Sequence, residues 1–222
     1  MRKPRYQVVQ QMADTGIIAI LRTDETEKIL RVMEAIGLGG VTCIEVPVTV
    51  PNGLKWVEKA AGQLEESLLF GAGSVLDAET ARLVIAAGVD YIVTPTLNPD
   101  TIKMAHRYGI AVVVGAFTPT EIITAWEHGA DMVKVFPGSL GGPQYIKEIH
   151  APLPQVLLAP TGGVTIDNAA DFIRAGACCL GVGSALLDKT AIAVEDYTTL
   201  TQKAQALVQV VRNAKQNIFN HK

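Results

Sequence analysis

The stretch GADMVKVFPG, residues 129–138, contains the pattern that decides the fold. A glycine typical of a helix end precedes a short apolar run with the length of a strand, and a Pro-Gly turn follows. The same order of a helix-ending glycine and an apolar run recurs with strands that start at residues 41, 89, 110 and 177. Strands that alternate with helices in this way indicate βαβ units and a parallel sheet.

Three further apolar runs, at residues 17–21, 68–73 and 155–160, bring the number of predicted strands to eight. Eight βαβ units close most naturally into a (β/α)₈ TIM barrel, and a doubly wound open sheet is the alternative α/β architecture. An amphipathic pattern at residues 5–15 predicts an extra N-terminal helix. A last helical pattern covers roughly residues 195–216.

The composition limits the classes of protein to which the chain can belong. With 222 residues, 49% of them hydrophobic, and no Pro/Ser-rich linker, residues 1–222 are predicted to form one domain. A net charge of −3 argues against nucleic acid as a partner. Neither a signal peptide nor a membrane span is indicated by the apolar runs. Three cysteines, two of them adjacent, do not suggest a disulfide framework, so we expect a cytoplasmic protein.

Of the chain's eleven lysines, Lys134 is the only one inside an apolar strand-like run. A buried ammonium is costly, so Lys134 is expected to be either paired or a neutral amine nucleophile. Arg22 and Glu45 are also the only charged residues of their own apolar runs. All three are predicted near the C-terminal ends of strands, where barrel enzymes have their active sites. A buried ion network that braces the barrel is the alternative interpretation.

Side chains alternate between the two faces of a strand, so the residues that share the inner face can be predicted. The assumed parity places Ala72 and Ser74 of the third strand inside, together with Ile92 and Thr94 of the fourth. Thr161, at the C-terminal end of the seventh strand, also has the inward parity. A single bulge would reverse one of these assignments.

Two glycine-rich turns follow the last two predicted strands. Thr161-Gly162-Gly163 precedes a helix predicted at residues 165–173, and Gly183-Ser184 precedes another short helix. In many barrels such turns bind phosphate through free backbone N–H groups. Tight connections between strands and helices also use glycine, which is the structural alternative.

A lysine, a carboxylate, an arginine and a phosphate site together suit Schiff-base chemistry. The neutral amine of Lys134 would attack a ketone and form a carbinolamine and then an imine, while Glu45 moves the protons. No spacing of His, Cys and carboxylates suggests a metal site. The four histidines at positions 106, 128, 150 and 221 are interpreted as surface or helix-end residues.

Several motifs resemble those of the 2-keto-3-deoxy-6-phosphogluconate (KDPG) and 4-hydroxy-2-oxoglutarate (KHG) aldolases. They are GAGSVLDAET at 71–80, VKVFPG at 133–138, PTGGV at 160–164, GVGSAL at 181–186 and the IEV that contains Glu45. The resemblance implies a class I aldolase in which the lysine forms the Schiff base and the glutamate is the general acid/base. It also implies that no cofactor or metal is needed, and that the protein is a homotrimer.

The resemblance assigns further residues to substrate binding. Arg22 and Ser74 correspond to the pyruvate end, and Thr49 stands where many members have an arginine. Pro95 matches a family proline. The residues that correspond to the phosphate site are Thr161, Gly162, Gly163, Gly183 and Ser184.

The function expected from these motifs is cleavage of 2-dehydro-3-deoxy-6-phosphogluconate to pyruvate and D-glyceraldehyde 3-phosphate. Cleavage of 4-hydroxy-2-oxoglutarate to pyruvate and glyoxylate is a further expectation. Relatives that act on the phosphogalactonate epimer also lack the arginine that Thr49 replaces, so that substrate is an alternative. A phosphosugar isomerase or epimerase, or a barrel that only binds a phosphorylated metabolite, are the other hypotheses.

Overall fold

The structure, a computed structural model, describes residues 3–64 and 67–219. Seven parallel strands form one sheet in the order β6-β5-β4-β3-β2-β1-β7. The strands are β1 (Ile17–Ile20), β2 (Cys43–Pro47), β3 (Leu69–Gly73), β4 (Tyr91–Val93), β5 (Ala111–Ala116), β6 (Met132–Val135) and β7 (Leu180–Val182).

Helices cover the outer face of this sheet, and several begin with a side-chain cap that the sequence supplies. The Thr118 hydroxyl accepts from the Glu121 N–H, and the Glu121 carboxylate accepts in return from the Thr118 N–H, which is a capping box. Among the described residues, none of the helices has both the length and the apolar character needed to cross a membrane. The helices are α1 (Arg5–Thr15), α2 (Ile29–Leu38), α3 (Gly53–Ala61), α4 (Ala78–Ala87), α5 (Pro99–Arg107), α6 (Pro119–Glu127), α7 (Gly138–His150), α8 (Ala169–Arg174), α9 (Lys189–Ala193) and α10 (Tyr197–Phe219).

The strand predicted at residues 155–160 is an extended segment that closes the barrel between β6 and β7. On one side the Val135 N–H donates to the Ala159 carbonyl at 3.1 Å, and on the other the Gly181 N–H donates to the Pro160 carbonyl at 3.0 Å. The segment pairs with its two neighbours through isolated bridges. The predicted barrel is therefore confirmed, and the open sheet is excluded.

Apolar side chains form two layers, one between strands and helices and one inside the barrel. Helix α1, predicted from residues 5–15, closes the N-terminal end of the barrel with Val8 and Met12. Arg5 Nε lies 3.1 Å from Asp131 Oδ1 and anchors the helix. The interior residues of the strands are Ile18, Cys43, Leu69, Tyr91, Val93, Ala111, Val113, Met132, Ala159 and Cys179.

The register of β3 and β4 corrects the parity assumed from the sequence. Glu45 pairs with Gly71, and Gly71 pairs with Tyr91, so these three positions face the interior together. Ala72 and Ile92 consequently belong to the outer layer, against the helices, and the prediction for both was wrong. The prediction failed because the parity was assumed to carry from one strand to the next, and the observed register does not follow that assumption. Ser74 still reaches the barrel mouth because its backbone leaves the extended conformation, with φ at 59°.

The other fourth-strand residue predicted inside was Thr94. Its hydroxyl donates to the Thr96 carbonyl at 2.7 Å and accepts from the Gly115 N–H at 3.1 Å. Thr94 is buried and braces the ends of β4 and β5. The residue of this strand end that faces the barrel mouth is Pro95.

Helix α8 begins later than the helix predicted at residues 165–173. The Asn168 side chain accepts from the Thr165 N–H at 2.8 Å and donates to the Gly163 carbonyl at 2.9 Å, and these bonds hold the segment as a turn. The predicted last helix is confirmed, but it begins at Tyr197. Glu195 has a φ of 60° and therefore cannot be part of a right-handed helix.

Candidate active site

A cavity of about 680 Å³ opens at the C-terminal ends of the strands. It brings together every residue that the sequence assigned to catalysis or substrate binding. Within the part of the chain that the structure describes, these are Arg22, Glu45, Thr49, Ser74, Pro95, Lys134, Thr161, Gly162, Gly163, Gly183 and Ser184. The geometry thus supports one site at the barrel mouth.

Lys134 extends from β6 into the floor of this cavity and is only 7% exposed. Its register partner on β5 is Gly115, which adds no side chain at that level. The Phe136 ring lies over the amine, with Nζ 5.1 Å from the ring centroid. Among the described residues, no carboxylate oxygen lies within the 4.0 Å of an ion pair from Lys134 Nζ. The amine is therefore open to a ligand, and the alternative of a direct ion network does not hold for it.

Glu45 extends from β2 and is almost completely buried, at 1% exposure. This burial raises the pKa of the Glu45 carboxyl, although the cations of Lys134 and Arg22 act in the opposite direction. The carboxyl lies against Gly73 of β3, and a Cβ at that position would overlap Glu45 Oε1. Glycine at position 73 is thus required for the observed position of the carboxyl.

Arg22 lies beyond the end of β1, at the rim of the cavity, and is exposed. Arg22 was predicted near the C-terminal end of its strand, and the residue of β1 in register with Glu45 is Ile20. The guanidinium donates to the Thr49 hydroxyl at 3.2 Å and to the Ser74 hydroxyl at 3.1 Å. Ser74 reaches the cavity because its left-handed backbone turns the side chain back toward the mouth.

The two glycine-rich turns form the side of the cavity near β7. Gly162 and Gly163 have φ values of 93° and 73°, which favour glycine. Among the described residues, the N–H groups of Gly162, Gly163, Gly183 and Ser184 have no protein acceptor. Free N–H groups in consecutive turns form a concave site suited to an anion. Because α8 begins at Ala169, these loop N–H groups, and not a helix N-terminus, provide the donors.

The sequence did not single out three charged or aromatic residues of the cavity, which are Asp24, Phe136 and Lys189. Phe136 could have been found, because it shares the parity of Lys134. Asp24 and Lys189 are exposed residues beyond the strand ends, and no periodic pattern marks them. Lys189 adds a cation on the side of the glycine-rich turns.

The three cysteines and the histidines within the described residues lie outside this cavity. His106 and His150 belong to the last turns of their helices and His128 caps α6, as predicted, whereas His221 is outside the described residues. Cys43, Cys178 and Cys179 are free thiols. Over residues 3–64 and 67–219, no group of three or more His, Cys, Asp or Glu side chains is arranged to hold a metal ion.

Comparison with known proteins identifies the family of this chain. The family model for KDPG and KHG aldolases matches residues 8–203. The chain belongs to the KDPG and KHG aldolase family. It is 35% identical over 209 residues to the 2-dehydro-3-deoxy-6-phosphogalactonate aldolase of Escherichia coli K12, covering 94% of this chain and 100% of that relative.

Other members are similar over most of their length. The 2-dehydro-3-deoxy-phosphogluconate aldolase of Pseudomonas aeruginosa is 28% identical over 198 residues, which cover 88% of this chain and 89% of the relative. A crystal structure of KDPG aldolase from Legionella pneumophila, with pyruvate captured as a covalent carbinolamine intermediate, superposes with a TM-score of 0.82 at 25% identity. That match covers 90% of this chain and 97% of the other. The chain is thus an aldolase, a carbon–carbon lyase.

The contact between Gly73 and Glu45 predicts that Gly73→Ala displaces the carboxyl. Because a misplacement of about 1 Å at a catalytic group costs up to about 100-fold in rate, we expect kcat to fall by about 10-fold to 100-fold. Steady-state cleavage of the phosphorylated substrate measures this loss. Gly62→Ala is the matched control, since nothing lies within 4 Å of a Cβ at that position. An unchanged kcat in Gly73→Ala would contradict the assigned contact.

The raised pKa of Glu45 predicts that this residue lowers stability while it serves activity. A carboxyl whose pKa is raised by folding contributes most stability below its unfolded pKa, and that contribution is lost as the pH rises through the folded pKa. Glu45→Gln is neutral at every pH, so its Tm should equal or exceed that of the wild type at pH 8. The difference should shrink toward pH 4.

The same substitution, Glu45→Gln, should lower activity although it does not lower stability at pH 8. We expect kcat of Glu45→Gln to fall by about 10²–10⁴-fold, the usual contribution of a general acid/base. Exposed Glu34→Gln, on the outer surface of α2, is the control for both measurements. A lower Tm for Glu45→Gln at pH 8, with kcat preserved, would show that Glu45 is a structural charge.

Proposed function

We propose that the protein is a class I aldolase in which Lys134 forms a Schiff base with a 2-dehydro-3-deoxy-6-phospho sugar acid. The observation that carries this proposal is the pair of groups in the cavity floor. A buried amine without an ion-pair partner and a buried carboxyl with a raised pKa lie in one cavity, on β6 and β2. The carbinolamine captured in the Legionella pneumophila relative is an intermediate of this chemistry.

The first steps form the imine. The lone pair of Lys134 Nζ attacks the C2 keto carbon, and a proton passes from nitrogen to oxygen to give the carbinolamine. Glu45 in its protonated form donates to the departing hydroxyl, which leaves as water, and an iminium remains on Lys134. Burial, which raises the pKa of Glu45, keeps the proton available for this step.

The ionised Glu45 then acts as the base for carbon–carbon cleavage. It takes the proton of the C4 hydroxyl, the C3–C4 bond breaks, and the electron pair moves into the iminium to give an enamine. D-Glyceraldehyde 3-phosphate is released as the aldehyde. Glu45 returns the proton to C3, and water hydrolyses the resulting iminium to pyruvate and free Lys134.

The two ends of the cavity suit the two charged ends of the substrate. Arg22, held by the hydroxyls of Thr49 and Ser74, provides a cation for the substrate carboxylate near Lys134. The free N–H groups of the turns that contain Gly163 and Ser184 suit the 6-phosphate. Pro95 and Thr161 also line the cavity.

The phosphogalactonate epimer is favoured over the phosphogluconate epimer as the natural substrate. The identity is 35% to the phosphogalactonate aldolase of E. coli and 28% to the phosphogluconate aldolase of P. aeruginosa. Thr49, which replaces the arginine of many family members, lies at the end of the cavity where Arg22 and Ser74 meet. The two epimers differ at C4, the carbon whose hydroxyl must be deprotonated.

Loss of the amine tests the proposed chemistry. We expect Lys134→Ala to lower kcat for cleavage by at least about a thousandfold, because the imine forms on the buried amine that this substitution removes. The assay follows pyruvate release with a coupled dehydrogenase. Lys147→Ala is the control, since Lys147 is exposed on α7. Cleavage by Lys134→Ala at the wild-type rate would refute the proposal and favour an isomerase or a binding protein.

A comparison of epimers tests the substrate. The two 6-phosphorylated epimers and 4-hydroxy-2-oxoglutarate are assayed side by side, and kcat/KM is expected to be highest for the phosphogalactonate epimer. The unphosphorylated acid should have the lowest kcat/KM, because it makes no contact with the glycine-rich turns. A higher kcat/KM for the phosphogluconate epimer would reverse the order proposed, while leaving the Schiff-base chemistry intact.

A further inference from the structure

Tyr91 has a phenol that is fully enclosed in the barrel interior. The side chain is 0% exposed and packs in the interior layer with Cys43, Met132 and Cys179. Its hydroxyl has no hydrogen-bond partner among the described residues. A buried donor without a partner is costly, and phenylalanine would fill the same space without that cost. The hydroxyl therefore calls for an explanation.

The Tyr91 ring lies one inward position deeper in the barrel than the Glu45 carboxyl. Glu45, Gly71 and Tyr91 are successive register partners on β2, β3 and β4. A Cβ at Gly71 would overlap Cε2 and Cζ of the Tyr91 ring, so the ring lies across β3. A Cβ at Gly73 would overlap the Glu45 carboxyl, which lies across the same strand one inward position nearer the mouth. Two adjacent inward glycines thus hold the phenol and the carboxyl one above the other.

The electrostatic interactions of Tyr91 also indicate that it lies near Glu45. The pKa of Tyr91 is raised chiefly by burial, and then by Cys43, Glu45, Cys179 and Asp90. The groups that face Glu45 from the other elements are Lys134 of β6 and Arg22 beyond β1. Tyr91 is the uncharged donor on the side of the carboxyl that faces the barrel interior.

We propose that Tyr91 is a positioning residue for Glu45, with its hydroxyl donating to the carboxyl through one bridging water molecule. This inference rests on the proposed function for its catalytic meaning. The water satisfies both buried groups, as bridging waters do between polar atoms beyond direct reach. The donor stabilises the ionised carboxyl and limits the rise of the Glu45 pKa that burial causes. Glu45 can therefore be the acid in one step and the base in the next.

Tyr91→Phe tests this by removing the hydroxyl and keeping the ring. Loss of a donor to the carboxylate should raise the apparent pKa of Glu45 by about half a unit or more. In the pH profile of kcat/KM, the inflection that is lost in Glu45→Gln reports the apparent pKa of Glu45. If Tyr91 were purely structural, Tyr91→Phe would change Tm but would not move this inflection. Val113→Ala, which removes interior volume without a polar atom, is the control and should change Tm alone.

A ¹³C NMR titration of glutamate-labelled protein measures the same pKa without turnover, with Glu45→Gln identifying the resonance. If the wild type shows no cleavage but the pKa of Glu45 is higher in Tyr91→Phe, the proposed function is wrong and the interaction between Tyr91 and Glu45 is supported. If the wild type cleaves the substrate and the pKa is the same in both proteins, the inference is overturned. Should Tyr91→Phe not fold, 3-fluorotyrosine, a stronger donor, must lower the Glu45 pKa, and an unchanged value overturns the inference.

Discussion

The site depends on the burial of an amine and a carboxyl in one cavity without an ion pair between them. Lys134 and Glu45 are 7% and 1% exposed. A buried charge is tolerated when it is paired, when it is neutral, or when other groups compensate it. Here burial raises the pKa of the carboxyl, while two cations oppose that shift. The arrangement costs stability, and it places an amine and a carboxyl together in the lining of one cavity.

The barrel provides this geometry through its strands more than through its loops. Parallel register fixes the heights of the inward side chains, and glycines at inward positions leave room for neighbouring groups to lie across a strand. Strand β3 shows this most clearly, because Gly71 and Gly73 make space for Tyr91 and Glu45. The GAG of the motif at residues 71–73 is therefore a requirement of side-chain packing within the site, as well as a feature of sequence similarity.

Much of this could be predicted from sequence, because strong periodicity and single charges in apolar runs have few interpretations. The barrel, the helix at α1 and the grouping of Lys134 with Glu45 all followed from such patterns. The failures came from register and from local turns. Ala72 and Ile92 were misplaced because the inward parity was assumed to carry from one strand to the next, whereas the register sets Gly71 and Tyr91 level with Glu45. Helix α8 begins late because Asn168 bonds to the preceding turn. Neither effect changes the hydrophobic pattern, so neither could be read from it.

The most direct test of the account is to trap the covalent intermediate. The protein is incubated with pyruvate and sodium borohydride, digested, and the modified peptide is identified by mass spectrometry. We expect a reduced pyruvyl adduct on Lys134, absent from Lys134→Ala and retained in Lys147→Ala. The absence of an adduct, or an adduct on another lysine that persists in Lys134→Ala, would contradict it.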